Sequence, residues 1–299
     1  MKSTLIKSSL AAAVLLSTLN PQLSTCFAST TIDPFNKYAW GANVGWLDWS
    51  GGSGETATGV VIGEYVCSGY IYSANVGWIN LGSGVPTNGI YYQNLSANDF
   101  GVNQDGLGNL SGYGYGANIG WITFEQTYGQ PKVNLLTGVL SGYVWSANIG
   151  WISLSNAVAY VQTDTISPGA LAPDGLPIAW LLLNFGTTNV NANADPTGKG
   201  MTIGQDYLAG TDPNNPNSIL RITAESFSSG GTSALLTWNS VMTRFYYIQK
   251  TPSLTSPVWV DSGLGLVSPS IGSTTAAGFG DTNAPVRFYR VQAVRPLTP

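Results

Sequence analysis

Tyr38-Ala-Trp-Gly-Ala-Asn-Val-Gly-Trp46-Leu is the first of four similar stretches in the N-terminal half of this chain. The other three read Tyr70-Ile-Tyr-Ser-Ala-Asn-Val-Gly-Trp78-Ile, Tyr113-Gly-Tyr-Gly-Ala-Asn-Ile-Gly-Trp121-Ile and Tyr143-Val-Trp-Ser-Ala-Asn-Ile-Gly-Trp151-Ile. Ala, Asn, Gly and Trp recur at fixed offsets, and only Val or Ile stands between Asn and Gly. Such regular recurrence identifies a repeat array, which decides the fold of this half of the protein.

Each stretch is typical of a tight β-hairpin. The Ala-Asn-Val/Ile-Gly segment is expected to reverse the chain, because Asn and Gly both tolerate positive φ. The later copies are preceded by a further strand and glycine turn, as in Lys132-Val-Asn-Leu-Leu-Thr-Gly-Val-Leu-Ser-Gly142. One unit is therefore expected to hold three antiparallel strands in roughly 30 to 40 residues. The pattern leaves open whether the units close into a ring or stack as an open array.

Strand alternation predicts where the repeated tryptophans point. Ile152 and Leu154 share one face of their strand, whereas Trp151 and Ser153 share the other. If the aliphatic residues enter the core, the tryptophans face away from it. They either pack between neighbouring units or form an aromatic platform that stacks on sugar rings, with asparagine amides as hydrogen-bonding partners. The candidate ligand-binding residues are Trp46, Trp78, Trp121, Trp151, Asn43, Asn75, Asn118 and Asn148.

Composition argues against catalysis and against nucleic-acid binding. Only 9% of the 299 residues are charged, with 15 acidic against 11 basic residues, and histidine is missing. A nucleic-acid binder would carry a basic footprint, and most acid–base catalysis uses histidine. A polysaccharide hydrolase with paired carboxylates remains a weaker alternative. Its candidate carboxylates in the array are Asp33, Asp48, Glu55, Glu64, Asp99, Asp105, Glu125 and Asp164.

The first 28 residues are typical of an export signal. Lys2 and Lys7 precede an apolar run, and Cys26-Phe-Ala28 fits a small-x-small cleavage site. Lipidation at Cys26 is the alternative to cleavage after Ala28. The signal predicts an extracellular or cell-surface protein, with the periplasm as another compartment, and no transmembrane segment after cleavage. Cys67 is then the one remaining thiol, expected as a small buried strand residue.

Residues 166–218 differ in composition from the array and are expected to form a linker with short helices. The segment from Asp174 ends at Gly186 and predicts a helix. Farther on, Asp195-Pro-Thr-Gly-Lys-Gly-Met precedes the phrase Tyr207-Leu-Ala-Gly-Thr-Asp-Pro213. This part resembles the thrombospondin type 3-like and dockerin-like calcium modules of secreted bacterial proteins. The resemblance implies calcium ligands at Asp195, Thr197, Met201 and Asp206.

Lys199 departs from the calcium pattern. It stands at the fifth position of the loop, where such modules carry an acidic residue. Its ammonium group is expected to fill the cation position and to form salt bridges with Asp195 and Asp206. Calcium binding and a metal-free relic of the module are the two alternatives.

The C-terminal part, residues 219–299, alternates apolar and polar residues in short runs. Leu236-Thr-Trp238 and Phe288-Tyr-Arg-Val291 resemble fibronectin type III-like modules, which implies a β-sandwich. The predicted organisation is a signal peptide (1–28), a repeat domain of antiparallel hairpins (29–165), a helical hinge (166–218) and the sandwich (219–299). The fold class is mainly β.

Taken together, these features predict a non-catalytic, secreted structural or adhesive protein of the cell surface or extracellular matrix. The alternative is a carbohydrate-binding protein that uses the repeat tryptophans as its platform. Glycans or matrix components are the expected partners, and no cofactor is expected unless calcium binds.

Overall fold

The computed structural model describes residues 30–52, 59–228, 231–281 and 287–298. The predicted signal segment, Cys26 and Glu55 lie outside these residues. The described chain is mainly β, which confirms the fold class predicted from the sequence.

The repeat domain contains twelve strands in the described part of the chain. They are β1 (Ile32–Gly41), β2 (Gly45–Asp48), β3 (Ser68–Ser73), β4 (Gly77–Ser83), β5 (Val102–Gln104), β6 (Leu110–Gly116), β7 (Gly120–Phe124), β8 (Lys132–Val133), β9 (Leu140–Ser141), β10 (Tyr143–Ser146), β11 (Gly150–Ser153) and β12 (Val161–Thr163).

The four repeated stretches form four hairpins that stand side by side in one antiparallel sheet. The hairpins are β1–β2, β3–β4, β6–β7 and β10–β11. The last strand returns to the first, because β11 pairs with β1 through Trp40 opposite Ser153 and Gly41 opposite Ile152. The sheet therefore closes into an eight-stranded barrel, so the array is a ring rather than an open stack.

Glycine shapes the turn of each hairpin. Gly41 and Gly45 face each other across the first turn, and the N–H of Val44 donates to the carbonyl oxygen of Gly41 at 3.1 Å. Gly45 has φ 77°, so the turn follows the three-residue pattern with a left-handed glycine at its end. The non-glycine residues with positive φ in the described ranges are Asn94, Gln130 and Leu297. The chain reverses at the repeated segment as predicted, and the glycine rather than the asparagine takes the positive φ.

Equivalent positions of the four hairpins fill the barrel in layers. Leu47, Ile79, Ile122 and Ile152 follow the four tryptophans and are buried, as alternation predicted. Two positions farther along, Trp49, Leu81, Phe124 and Leu154 form the next buried set. Full burial of such side chains stabilises the fold by about 1.5 to 3 kcal/mol each.

Each hairpin is extended, at the end away from its turn, by a further short strand or by a single β-bridge. β5 pairs with β6, β8 pairs with β9, and Val61 bridges to Ser68 beside β3. The first hairpin receives its extra strand from the other end of the domain, because β12 pairs with β1. The hydroxyl of Thr163 donates to the carbonyl oxygen of Thr31 at 2.9 Å. The two ends of the domain are therefore joined by two pairings, β11 with β1 and β12 with β1.

Two helices follow the barrel in the described chain: α1 (Ile178–Phe185) and α2 (Ile203–Ala209). α1 ends at Gly186 in the left-handed conformation, as the sequence predicted. α2 begins with a capping box, in which Thr202 and Gln205 exchange side-chain and backbone hydrogen bonds. Trp180 and Tyr207 pack edge to face, with ring centroids 5.4 Å apart, in a small core of their own.

Six strands form the C-terminal part: β13 (Ile222–Phe227), β14 (Ser233–Asn239), β15 (Phe245–Thr251), β16 (Val260–Asp261), β17 (Thr274–Gly280) and β18 (Phe288–Val294). They make two three-stranded sheets, with strand orders β13-β14-β17 and β16-β15-β18. Trp238 of the first sheet and Tyr246 of the second share one buried cluster, with ring centroids 5.7 Å apart. The two sheets therefore pack face to face.

Glu64 of the repeat domain connects the three parts of the chain. One carboxylate oxygen accepts a hydrogen bond from the hydroxyl of Tyr207 in α2 at 2.8 Å. Arg244 and Arg295 of the sandwich lie 3.8 and 3.6 Å from the carboxylate. Arg244 also donates to the carbonyl oxygens of Tyr207 and Leu208. The helices are thus held between the barrel and the sandwich by a largely buried ionic cluster.

Candidate functional site: an aromatic belt

Three aromatic side chains of each hairpin lie on the outer face of the barrel. We call this set the aromatic belt; it comprises Tyr38, Trp40 and Trp46, Tyr70, Tyr72 and Trp78, Tyr113, Tyr115 and Trp121, and Tyr143, Trp145 and Trp151. Eleven of them are 38% to 49% exposed, and Tyr72 is partly buried. The predicted outward direction of the tryptophans is confirmed.

The belt residues hold one another in place. In the first hairpin the ring centroid of Trp46 lies 4.6 Å from that of Trp40 and 6.1 Å from that of Tyr38. In the third hairpin Trp121 lies 4.9 Å from Tyr115 and 6.1 Å from Tyr113. All these pairs meet edge to face, a favourable aromatic geometry. The exposed rings are therefore positioned by packing before any partner arrives.

Polar side chains alternate with the belt aromatics around the ring. The residue two positions after each tryptophan pairs across the hairpin boundary with an aromatic residue of the next hairpin. The pairs are Asp48 with Tyr72, Asn80 with Tyr115, Thr123 with Trp145, and Ser153 with Trp40. Hydrogen-bonding groups therefore stand beside the aromatic rings on every side of the barrel.

The charge next to the belt is neutralised locally. Lys37 and Asp48 form an ion pair of 2.8 Å. Partial burial by itself lowers the pKa of Lys37, but the hydrogen bond and the charge of Asp48 outweigh it, so the pKa is raised. The corresponding residues of the other hairpins, Asn80, Thr123 and Ser153, are uncharged. The belt is thus an aromatic and neutral polar surface.

The four repeated asparagines join neighbouring hairpins at the turn end of the barrel. Each donates its side-chain N–H to the carbonyl oxygen of the Val or Ile in the turn of the adjacent hairpin. The four bonds run from Asn75 to Val44 (2.9 Å), Asn118 to Val76 (3.1 Å), Asn148 to Ile119 (2.9 Å) and Asn43 to Ile149 (3.1 Å). Each bond engages one N–H of an exposed amide within the fold, so the asparagines have a structural role beside any contact with a ligand.

The candidate catalytic carboxylates have structural partners. Glu125 accepts hydrogen bonds from the backbone of residues 127–129, and Asp105 accepts them from Leu107 and Asn109. Burial, and then the charge and hydrogen bond of Asp33, raise the pKa of Asp164. Glu125 and Asp105 thus act as loop caps in this fold.

Cys67 is buried in the barrel core, as its strand pattern predicted. Burial raises the pKa of its thiol to about 12. The group is therefore a neutral thiol at physiological pH, whereas the nucleophilic form of cysteine is the thiolate.

The segment that resembles a calcium module holds a lysine ammonium group among oxygen atoms. The Lys199 Nζ lies 2.8 Å from Asp206 Oδ1 and 2.6 Å from the carbonyl oxygen of Asp212, and both charged side chains are fully buried. The predicted salt bridge to Asp206 is confirmed. Asp195 instead accepts the backbone N–H groups of Lys199 and Gly200, so the predicted ammonium contact with Asp195 is replaced by a loop cap.

The other two expected metal ligands lie in the same loop. Thr197 is within 3.5 Å of Asp195, and Met201 directly precedes Thr202, the cap of α2. Among the described residues, no group of three or more acidic, histidine or cysteine side chains could hold a metal ion. The Lys199 ammonium thus neutralises the buried Asp206 carboxylate, as a bound cation would.

Comparisons with known proteins add no further likeness. The chain shows no significant match to a protein-family model, a curated protein or a solved structure. Within the described ranges, no helix is both long and apolar enough to cross a membrane.

Proposed function

We propose that this chain is a non-catalytic secreted structural or adhesive protein of the cell surface or extracellular matrix, and that the aromatic belt is its contact surface. The observation that carries the proposal is the encircling set of half-exposed tryptophan and tyrosine rings on a closed barrel. Exposed aromatic surface of this extent is typical of sites that bind a partner. Tyrosine and tryptophan are also the residues that contribute most to binding energy at interfaces.

The architecture supports adhesion in two further ways. The rings are positioned by edge-to-face packing, which reduces the entropy lost when a partner binds. The four-fold repetition presents similar contacts in several directions, so one molecule can hold several points of an extended surface. Weak contacts that are made together give strong attachment.

Adhesion can be tested with the mature protein on immobilised cell envelopes and on matrix material. A variant with Trp46, Trp78 and Trp151 changed to Ala removes three belt tryptophans from three hairpins. We expect its retention to fall at least about tenfold, because such aromatic residues dominate binding energy. A matched control is Phe227→Ala with Leu235→Ala, which removes exposed apolar residues of the sandwich. Equal retention of both variants and the wild type would contradict the proposal.

Carbohydrate binding is the second candidate function. The observation in its favour is the pairing of uncharged polar residues with belt aromatics, because neutral sugars offer both a stacking face and hydroxyl groups. Affinity electrophoresis in gels that contain neutral or acidic polysaccharides tests it. Retardation by neutral polysaccharides is the expected result, and it should be lost when Trp121→Ala is added to the triple tryptophan variant. Release of reducing sugar from these polysaccharides would instead support the weaker hydrolase alternative.

A further inference from the structure

The third hairpin departs from the regular belt. The segment 84–101, between β4 and β5, forms a loop that lies against the outer face of this hairpin. A cleft of about 480 Å³ opens between residues 94–97 of this loop, Phe100, and the belt residues Tyr113 and Trp121. Its size falls within the range of roughly 300 to 1,000 Å³ that is common for ligand sites.

The loop that borders the cleft is fixed by partly buried polar contacts. Asp99 accepts the backbone N–H of Thr87 with one carboxylate oxygen and that of Gln93 with the other, both at 3.0 Å. The side chain of Asn94 accepts the N–H of Gly101, also at 3.0 Å. The Asp99 charge is therefore directed into the loop and away from the cleft. The loop is ordered before a ligand binds, which reduces the conformational entropy that is lost on binding.

Aromatic rings form the floor and one wall of the cleft. Phe100 stands almost perpendicular to Trp121, with an interplanar angle of 86° and centroids 5.1 Å apart. Phe100 also meets Tyr115 edge to face at 6.4 Å. Trp121 nevertheless stays 45% exposed, as much as Trp46 and Trp151. The indole of Trp121 is thus accessible and bordered by a second ring.

We propose that the Trp121 cleft binds one neutral sugar unit of a glycan, which stacks on the indole and contacts the polar loop. The lining residues carry aromatic, apolar, amide and hydroxyl groups and no charge. An acidic sugar or a phosphate would require a cationic partner to offset its desolvation. A neutral ring requires stacking area and hydrogen-bonding groups, and the cleft presents both. The proposal rests on the carbohydrate-binding candidate and confines its strongest contact to one of the four hairpins.

Binding of neutral oligosaccharides to the mature protein, measured by calorimetry, tests the cleft. Trp121→Ala removes the stacking face, and Ala97→Trp fills the cleft without removing any native aromatic ring. Each variant should weaken binding at least about tenfold. Phe227→Ala, which removes an exposed ring of the sandwich outside the belt, is the matched control and should change binding less than about twofold. Trp46 has the same position and exposure in the first hairpin, so Trp46→Ala compares the regular belt with the cleft and should lose less binding than Trp121→Ala.

Four outcomes would overturn the inference, and they separate it from the proposed function. Equal losses in Trp46→Ala and Trp121→Ala would show that the whole belt is the sugar platform. Undiminished binding by Ala97→Trp would exclude the cleft even if Trp121→Ala failed to fold. Binding of acidic but not neutral sugars, or of no sugar while retention on cell envelopes persists, would reject the sugar assignment and leave the adhesive function intact.

Discussion

The side-chain N–H of Asn43 donates to the carbonyl oxygen of Ile149 at 3.1 Å, although 106 residues separate the two along the chain. It joins the first repeated hairpin to the last. The same bond recurs between each other pair of neighbouring hairpins, so the four asparagines form a closed ring of contacts. The asparagine of the repeat therefore has a role in barrel closure that its own hairpin does not reveal.

Removal of this bond should weaken the barrel. Asn43→Ala is expected to lower the free energy of unfolding by about 1 kcal/mol, the net contribution of one hydrogen bond. Asn43→Asp should cost more, because a carboxylate oxygen would face the Ile149 carbonyl. Urea unfolding measures both effects. The neighbouring Ala42→Ser is the control, and an Asn43→Ala midpoint equal to the wild type would refute the role of the ring.

A side chain at a turn glycine should destabilise the hairpin, because these glycines have positive φ. Gly77 has φ 78°, and the amide of Asn118 lies 3.5 Å from the position that a Cβ would take. Gly77→Ala should therefore destabilise the protein by about 1 to 2 kcal/mol through left-handed strain. Gly280 in β17 lies in ordinary φ space with open surroundings, so Gly280→Ala serves as the matched control. Similar thermal midpoints for the two variants would argue against turn strain.

The buried Lys199–Asp206 pair should matter far more than a surface pair. Lys199→Met would leave the fully buried Asp206 carboxylate without its cation, at a cost of about 3 to 5 kcal/mol. The same change at the exposed Lys132 should have little effect. Denaturant unfolding compares the two variants, and equal stability would contradict a structural role for the ammonium group.

Calcium should not stabilise the wild-type protein, because Lys199 already provides the positive charge beside Asp206. We expect equal melting temperatures in calcium and in chelator. A ligand that binds the folded state and not the unfolded state raises the melting temperature, by an amount that grows with the logarithm of its concentration relative to Kd. A clear rise with calcium would therefore show that a metal binds in spite of Lys199.

Acid should weaken the sandwich through Asp281. Burial by itself raises the pKa of Asp281, but hydrogen bonds from Tyr289, Arg287 and Lys250 outweigh it and hold the pKa below its usual value. The carboxylate therefore contributes stability above the unfolded pKa of about 3.9, and the contribution is lost as the pH falls through the lower folded value. Asp281→Asn should flatten the pH dependence of unfolding in this range. An unchanged slope would assign the acid sensitivity to other groups.

Much of the local structure follows from short-range patterns in the sequence. Alternation around Trp151 and Ile152 is sufficient to place one residue on the surface and the other in the core, because successive strand residues face opposite sides. Gly186 ends α1 for an equally local reason, since glycine adopts the left-handed conformation at low cost. Lys199 is identifiable as a replacement for a cation because its position in the loop carries the wrong charge for a ligand.

Closure of the array depends on contacts that no single repeat contains. The pairing of β11 with β1 requires four hairpins with a common twist and register, and a single hairpin pattern fits an open stack equally well. The role of the asparagines was missed for the same reason, because their acceptors belong to other repeats. The available signal was their recurrence beside a glycine turn. Glu64 and Trp121 were named as candidate residues, but the ionic cluster around Glu64 and the cleft beside Trp121 were not predicted, because distant segments or a non-repeated loop complete them.

The pairing of β12 with β1 also constrains the order in which parts of the repeat domain can fold. During synthesis Ile32 emerges long before Thr163, its partner in the ladder, so the first hairpin waits for the end of the domain to complete its sheet. Contacts of such large sequence separation slow folding. The domain should therefore fold after its whole length is available rather than hairpin by hairpin, so a truncated chain that lacks residues 161–163 should leave the first hairpin without its ladder partner.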